Sequence, residues 1–363
     1  MKILQLIQKK QLRGAEVFAS QISEYMKQSN HEVIIVALID GDAKLPYSGD
    51  IKVLNANIKL KWLDWSGWRS LSEIINKFNP DIVQANAGDT LKYAVLSKKI
   101  FRWKQPVIFR NASMMSHYSN LFFTKAVTNW LLKNVQHILS VSNFTKKDII
   151  KHFKIKEKNI STIPIGIELE PYQKLQEKNN ETINLVHVGG FSFEKNHERL
   201  LMIFKSLFQI DNRYRLSLIG DGSLKQQIRK LAVDLGINDY IFFAGIVYNP
   251  LDYIYSSDVL LLPSKIEGLP AVIIEAFYCN TPVVAYNVGG ISELVIHEET
   301  GWLVNSDDEA AFINAVEKIK HLSKDRLNSI LNAAYKKAVT NFNNEKIAGQ
   351  FIDIYQLQKV KSQ

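Results

Sequence analysis

Residues 263–276 read Pro263-Ser264-Lys265-Ile266-Glu267-Gly268-Leu269-Pro270-Ala271-Val272-Ile273-Ile274-Glu275-Ala276. The run just before them, 259–262, is short and apolar, the pattern of a buried strand. Glu267 and Gly268 then break the run. Pro270 stands where a helix can begin, because the backbone donor that proline lacks is unpaired at that position anyway. The stretch is therefore expected to form strand, loop and helix, with Glu267 in the loop and Glu275 on the helix. Free amides at the helix start favour an anion beside the loop. A phosphate flanked by two carboxylates able to grip hydroxyls is what a nucleotide sugar requires.

The rest of the chain repeats this alternation. Short apolar runs at 3–7, 33–38, 51–54, 82–85, 107–110 and 138–141 are separated by amphipathic stretches such as 16–27, 68–78 and 90–101. A second series starts at 183, with runs at 183–188, 214–219, 241–244, 259–262 and 282–285. Such alternation predicts α/β architecture, parallel sheets covered by helices on both faces, with ligands at the carboxyl ends of the strands. Polar residues 173–181 read as a linker, so the predicted domains are 1–170 and 171–342, joined once across a cleft. The tail from about 322 to 360 reads as helices without strands.

Composition narrows the function classes. The 363 residues suffice for two cored domains, no apolar run approaches a membrane span, and the start is too interrupted for a secretory signal. The single cysteine, Cys279, precludes an internal disulfide framework and suits a cytoplasmic location. The net charge of +9 is unevenly placed: residues 1–175 hold 26 Lys and Arg against 14 Asp and Glu, and residues 176–363 hold 19 against 22. Only the first half is built to meet an anionic partner, unless its lysines merely decorate solvent faces. No nucleic-acid motif accompanies the charge. Trp62, Trp65 and Trp68 lie among Lys59, Lys61 and Arg69, and 121–133 is an apolar stretch carrying Lys125 and Lys133. Either suits a membrane interface, and either also suits a helix packed on the sheet with lysines at its solvent edge, the reading favoured for 121–133.

Several loops at strand ends carry chemistry. Gly14 and the preceding Arg13 follow the first strand, where a glycine lets backbone approach a phosphate or simply starts the helix. Asp40-Gly41-Asp42 has metal-pair spacing, yet Asp-Gly after a strand is first a turn. Arg110, Asn111 and His117 follow the strand at 107 and offer polar contacts to an acceptor. In the second half, Gly189-Gly190 with Lys195, Gly220-Asp221-Gly222 and Gly289-Gly290 each make a close-approach turn. Together they line one edge.

These residues resemble glycosyltransferase family four, the retaining enzymes with a Glu-x7-Glu motif, of the bacterial polysaccharide-biosynthesis type. Glu267-Gly268-Leu269-Pro270 through Glu275 matches that motif. Val188-Gly189-Gly190-Phe191 with Glu194-Lys195-Asn196, Phe243-Ala244-Gly245, Gly289-Gly290-Ile291-Ser292-Glu293 and Thr300-Gly301-Trp302 match further elements, in order. In the first half Gly14-Ala15-Glu16, Asn79-Pro80-Asp81 and Val141-Ser142-Asn143 are similar. The resemblance implies a GT-B fold of two facing doubly wound domains and a last helix, about 343–363, packed back on the first. It implies a nucleotide-sugar donor, UDP favoured over GDP, an acceptor held by the first domain, and no obligatory metal or cofactor. By position, Lys195 would meet the diphosphate, Glu275 the ribose and Glu267 the transferred sugar. Amides near Leu269, Ala271 and Val272, with Gly268, Gly189, Gly190 and Gly14, would approach the phosphates, and Val247 would lie near the base. The family's usual loop arginine is replaced by Gly190, and Arg199, one turn past Lys195, is the candidate substitute.

The expected activity is transfer of a sugar to a glycan or lipid-linked acceptor in surface polysaccharide or lipopolysaccharide synthesis, at the inner face of the plasma membrane. Two other outcomes fit a GT-B chain: a nucleotide-sugar epimerase, which needs no acceptor, and a catalytically silent scaffold, which binds no donor.

Overall fold

The computed structural model describes residues 1–60, 62–119, 121–175 and 181–361. Lys61 and most of the expected linker lie outside the described residues. The chain forms two compact units, Met1–Glu168 with Asn343–Gln363, and Leu169–Phe342.

The first unit holds strands β1 (Lys2–Lys9), β2 (Glu32–Ile39), β3 (Ile51–Val53), β4 (Ile82–Ala85), β5 (Val107–Asn111), β6 (His137–Ser140) and β7 (Ile160–Thr162). All pair in parallel, in the order β3-β2-β1-β4-β5-β6-β7. Central strands are apolar on both faces, as a doubly covered sheet requires. Ile7, Ile35 and Ala37 meet Ala19 of α1 (Gly14–Gln28) on one face. On the other, Leu4, Val36, Val83 and Phe109 pack against α2 (Trp65–Phe78), α3 (Gly88–Phe101), the C-terminal turn of α5 (Phe122–Lys133) and α6 (Asn143–Phe153). The short helix α4 (Met115–Tyr118) packs on α6. The sequence reading missed β7, a three-residue edge strand too short to show a pattern.

Trp68 is corrected here: it is buried in the core with Leu71 and Ile75, leaving only Trp62 and Trp65 of the tryptophan cluster exposed. Positions 68, 71 and 75 are one helical face, so the periodicity carried the signal. Buried Asp64 caps α2, accepting from Gly67 N at 3.1 Å, Asn57 N at 2.8 Å and the Tyr93 hydroxyl at 2.5 Å. Asp40 makes the expected turn, accepting from the Gly41 amide at 2.8 Å.

The second unit holds β8 (Ile183–Val188), β9 (Tyr214–Ile219), β10 (Ile241–Gly245), β11 (Val259–Leu262), β12 (Val283–Tyr286) and β13 (Trp302–Val304), in the order β10-β9-β8-β11-β12-β13. Helices α7 (His197–Ile210), α8 (Lys225–Asp234), α9 (Pro250–Tyr255), α10 (Ala271–Tyr278), α11 (Ile291–Leu294), α12 (Glu309–Lys320) and α13 (Lys324–Asn341) complete it. β13 is again a short edge strand the sequence did not announce. Within this sheet the order reverses between β8 and β11, the switch point where open α/β sheets bind ligands.

The last helix, α14 (Asn344–Val360), belongs to the first unit and packs on α1, with Phe351 and Phe18 rings 6.1 Å apart. Its buried Tyr355 hydroxyl accepts from Gln5 Nε2 at 3.2 Å and donates to Gln84 Oε1 at 2.5 Å. Lys359 pairs with Asp81 at 2.9 Å.

Candidate active site

The loops that follow β8 and β11 are bonded to each other at several points. Lys265 N donates to Glu194 O at 2.8 Å, Asn196 Nδ2 donates to Pro263 O at 3.0 Å, and Lys195 Nζ meets Glu267 Oε1 at 2.6 Å. Asn196 makes this possible by taking a left-handed backbone, φ 56°, which asparagine tolerates and which turns the chain from Lys195 into α7. Glu267 is buried and Lys195 three-quarters covered, so the pair is shielded from solvent and strongly oriented. A side chain at Gly189 would come within 3.1 Å of Lys195 Cδ, so that glycine leaves room for the lysine to lie across its loop.

A third loop fixes Glu267. Gly289, at φ 55°, runs so close that a Cβ there would lie 1.8 Å from Glu267 O, and Gly290 N donates to Gly268 O at 3.1 Å. Gly220, at φ 135°, packs likewise on Gly189 O, with 2.2 Å left for a Cβ. The glycines on the strand ends are thus required by backbone meeting backbone, as their clustering along one edge suggested.

Pro270 is the N-cap of α10, so Ala271 and Val272 offer the amides of a helix start beside the Lys195–Glu267 pair, while Ile273 N already donates to Pro270 O at 3.2 Å. Leu269 and Val272 are buried. Glu275, one turn along α10, is half-buried. Burial pushes its carboxyl up to about 7, against the pull of the Lys195 charge. One cation, two carboxylates and a helix start therefore converge at the switch point of a doubly wound sheet. That constellation can hold a diphosphate and hydroxyl-bearing rings.

Comparison with known proteins agrees. Residues 170–337 match the family described as Glycosyl transferases group 1, and residues 12–171 match Glycosyltransferase Family 4. An uncharacterized glycosyltransferase of Haemophilus influenzae is 32% identical over 282 residues, covering 76% of this chain and 73% of that protein. The chain belongs to glycosyltransferase family four. Another relative of this glycosyltransferase is the N-acetylgalactosamine-N,N'-diacetylbacillosaminyl-diphospho-undecaprenol 4-alpha-N-acetylgalactosaminyltransferase of Campylobacter jejuni, 25% identical across 70% of this chain and 71% of that one. Among solved structures, Anabaena Alr3699/HepE in complex with UDP-glucose superposes with a TM-score of 0.82, at 18% identity and over 98% of this chain and 99% of that one. The fold is GT-B.

In this glycosyltransferase not every expected site residue stands where the sequence put it. Arg199 is turned to Glu309 of α12, with which its guanidinium is ion-paired, and the pairing raises its pKa. Lys225, which the sequence did not single out, sits beside the glycine edge instead. Its ammonium pairs with Asp221 at 3.0 Å and lies 3.7 Å from where a Cβ of Gly245 would be. Asp221 O is the nearest atom to a side chain at Gly190, at 3.4 Å, so Lys225 and Gly190 share one neighbour. Val247, half-buried, lies in the loop after β10 between the exposed Ile246 and Tyr248.

In the first unit, Arg13 and Gly14 are exposed at the start of α1, with open space over Gly14, and His117 is exposed on α4. Asn111 is buried at the carboxyl end of β5, its Nδ2 without a partner among the described residues. Strand alternation turns Arg110 away from Phe109 and Asn111, and it is buried with its guanidinium 4.2 Å over the Phe18 ring. Its three guanidinium nitrogens have no hydrogen-bond partner among the described residues.

Proposed function

We propose that this glycosyltransferase moves a sugar from a UDP-sugar to a lipid-linked or glycan acceptor, with retention at the anomeric carbon, in the synthesis of a surface polysaccharide or lipopolysaccharide. The observation that carries the donor site is the 2.6 Å Lys195–Glu267 pair at the β8–β11 switch point, beside the free amides of α10. The nucleotide is favoured as UDP because a protein of the same fold binds UDP-glucose. A lipid-linked acceptor is favoured by the diphospho-undecaprenol acceptor in the Campylobacter relative's name.

On this proposal the diphosphate lies against Lys195 and the amides of Leu269, Ala271 and Val272, with Gly189, Gly190 and Gly268 giving it room. Lys225 is the second cation. Glu275 accepts from the ribose hydroxyls, and Val247 borders the base. As the anomeric carbon–oxygen bond breaks, negative charge grows on the departing phosphate and positive charge on the ring. Lys195 and the oriented amides stabilise the first, already in place before the bond breaks. Glu267, paired with Lys195 at 2.6 Å, stabilises the second once the phosphate takes over the lysine. The acceptor hydroxyl forms the new bond and its proton passes to the departing phosphate. These groups meet the developing charge without a metal, so chelation with EDTA is expected to leave the rate within about twofold.

The test is mass spectrometry of products from a matrix of UDP-sugars against undecaprenyl-diphosphate-linked glycans. Transfer that requires both substrates is expected. Turnover of the sugar nucleotide without acceptor would favour an epimerase, and failure of calorimetry to detect any nucleotide binding would favour a silent scaffold.

A further inference from the structure

We propose that the exposed start of α5 inserts into an anionic lipid bilayer and holds the first unit on it. This docking rests on an acceptor carried by a lipid, as proposed above, but it is a separate property of the protein. Leu121, Phe122 and Phe123 are 72%, 90% and 75% exposed, three consecutive large apolar side chains standing in water. Only the far end of the helix, at Leu131 and Leu132, is buried in the core. Trp130, seven residues after Phe123 and so on the same face, is 42% exposed. A contiguous apolar patch of this kind marks an interaction surface.

Charge decides the partner. From residue 90 to residue 147 the chain contains ten Lys and Arg and not one Asp or Glu, and of the ten, Arg110 is buried while Lys92 and Lys146 are paired with Asp89 and Glu157. Lys125 and Lys133 flank the apolar residues of α5 and are exposed. A second copy would bring the same positive face and repel it. A bilayer with anionic headgroups supplies what the surface lacks, a hydrocarbon phase for the phenylalanines and phosphates for the lysines. A second patch lies on the same face of the sheet. Trp62, Leu63 and Trp65 are exposed on the loop that Asp64 pins to Tyr93, and α3 packs between α2 and α5. Indole rings flanked by lysines are suited to the headgroup level.

Sedimentation of the full chain with vesicles tests this. Wild type is expected to pellet with vesicles of phosphatidylcholine containing 30% phosphatidylglycerol, and at least about tenfold less with pure phosphatidylcholine or in about 1 M salt, where charges are screened beyond about 3 Å. Phe122→Ser/Phe123→Ser should cut binding to the anionic vesicles at least about tenfold, with an unchanged circular dichroism spectrum and melting temperature, since neither residue touches the core. Trp62→Ser/Trp65→Ser should have a smaller effect. Anionic binding unchanged in the phenylalanine variant would overturn the proposal. So would no vesicle binding, or a concentration-dependent dimer that the same variant abolishes. Transfer to a soluble acceptor, measured on the same variant, is expected to be unaffected, so loss of docking is distinguishable from loss of the proposed activity.

Discussion

In the second unit the strands that diverge at the middle of the sheet, β8 and β11, end in loops joined by Lys195 and Glu267 at 2.6 Å. In the first unit the matching strands are β1 and β4, and there Gln8 Nε2, near the end of β1, donates to Asp89 Oδ2 in the first turn of α3 at 2.8 Å. The two junctions share strand order and position. They differ in chemistry: a shielded lysine beside two carboxylates and a helix start in one, an amide–carboxylate bond in the other, with Asp89 already matched by Lys92 at 3.1 Å. The sheet order says where a ligand can sit, because helix starts and loops converge there. The side chains on the loops say which ligand. A diphosphate leaving group needs a cation aimed at it, and the second junction sets its cation beside a helix start and a second carboxylate, whereas Lys92 of the first is matched to Asp89.

The largest expected difference between the junctions comes from removing that cation. Lys195→Ala should lower kcat/KM for the UDP-sugar on the order of a hundredfold, because a charge-assisted contact to the departing diphosphate is lost. Gln8→Ala, the counterpart change, should leave donor affinity within about twofold. Equal losses in steady-state kinetics would erase the distinction.

Next in size is Glu275. Its carboxyl holds a proton up to about pH 7 in the folded protein and only to about 4.5 when unfolded. Between those values the folded state binds more protons, so stability falls as pH rises and then levels off above 7. Glu275→Gln removes this loss and should raise stability at pH 8 by about 1–3 kcal/mol, with little change at pH 4. The same substitution should weaken donor binding above pH 7, where the wild-type carboxylate is ionised and accepts from the ribose. Urea melts at the two pH values, with calorimetry of UDP, check both halves; an equal stabilisation at pH 4 would contradict the sign.

A smaller effect separates two cations of the second unit. Lys225→Ala should weaken UDP binding about tenfold, while Arg199→Ala, which removes only the partner of Glu309, should change it less than about twofold. Isothermal titration of both variants decides which residue compensates for the glycine at 190.

Much of this was readable without coordinates. Ile82–Ala85, Ile183–Val188, Tyr214–Ile219 and Val259–Leu262 have the bounds that their apolar runs predicted, because strands buried on both faces carry an uninterrupted signal. Glu267 in a loop and Glu275 on a helix followed from one proline and one glycine. What escaped was partnership at a distance. Nothing near Arg199 announces Glu309, 110 residues away. The strand pattern at 107–111 gave Arg110 a face but not the Phe18 ring that covers it. Trp68 was legible in principle from its spacing to Leu71 and Ile75, but composition, three tryptophans among basic residues, spoke for a surface. Lys225 had no motif, and only its approach to Gly245 and Asp221 places it at the edge.

The most direct test of the central claim is single-turnover transfer from the UDP-sugar by Glu267→Gln, with the UDP dissociation constant measured alongside. If Glu267 acts on the transferred sugar while Lys195 holds the diphosphate, the rate constant falls at least about a hundredfold and the dissociation constant stays within about threefold. A rate near that of wild type would remove Glu267 from the reaction, and with it the assignment of this junction as the place where the sugar is transferred.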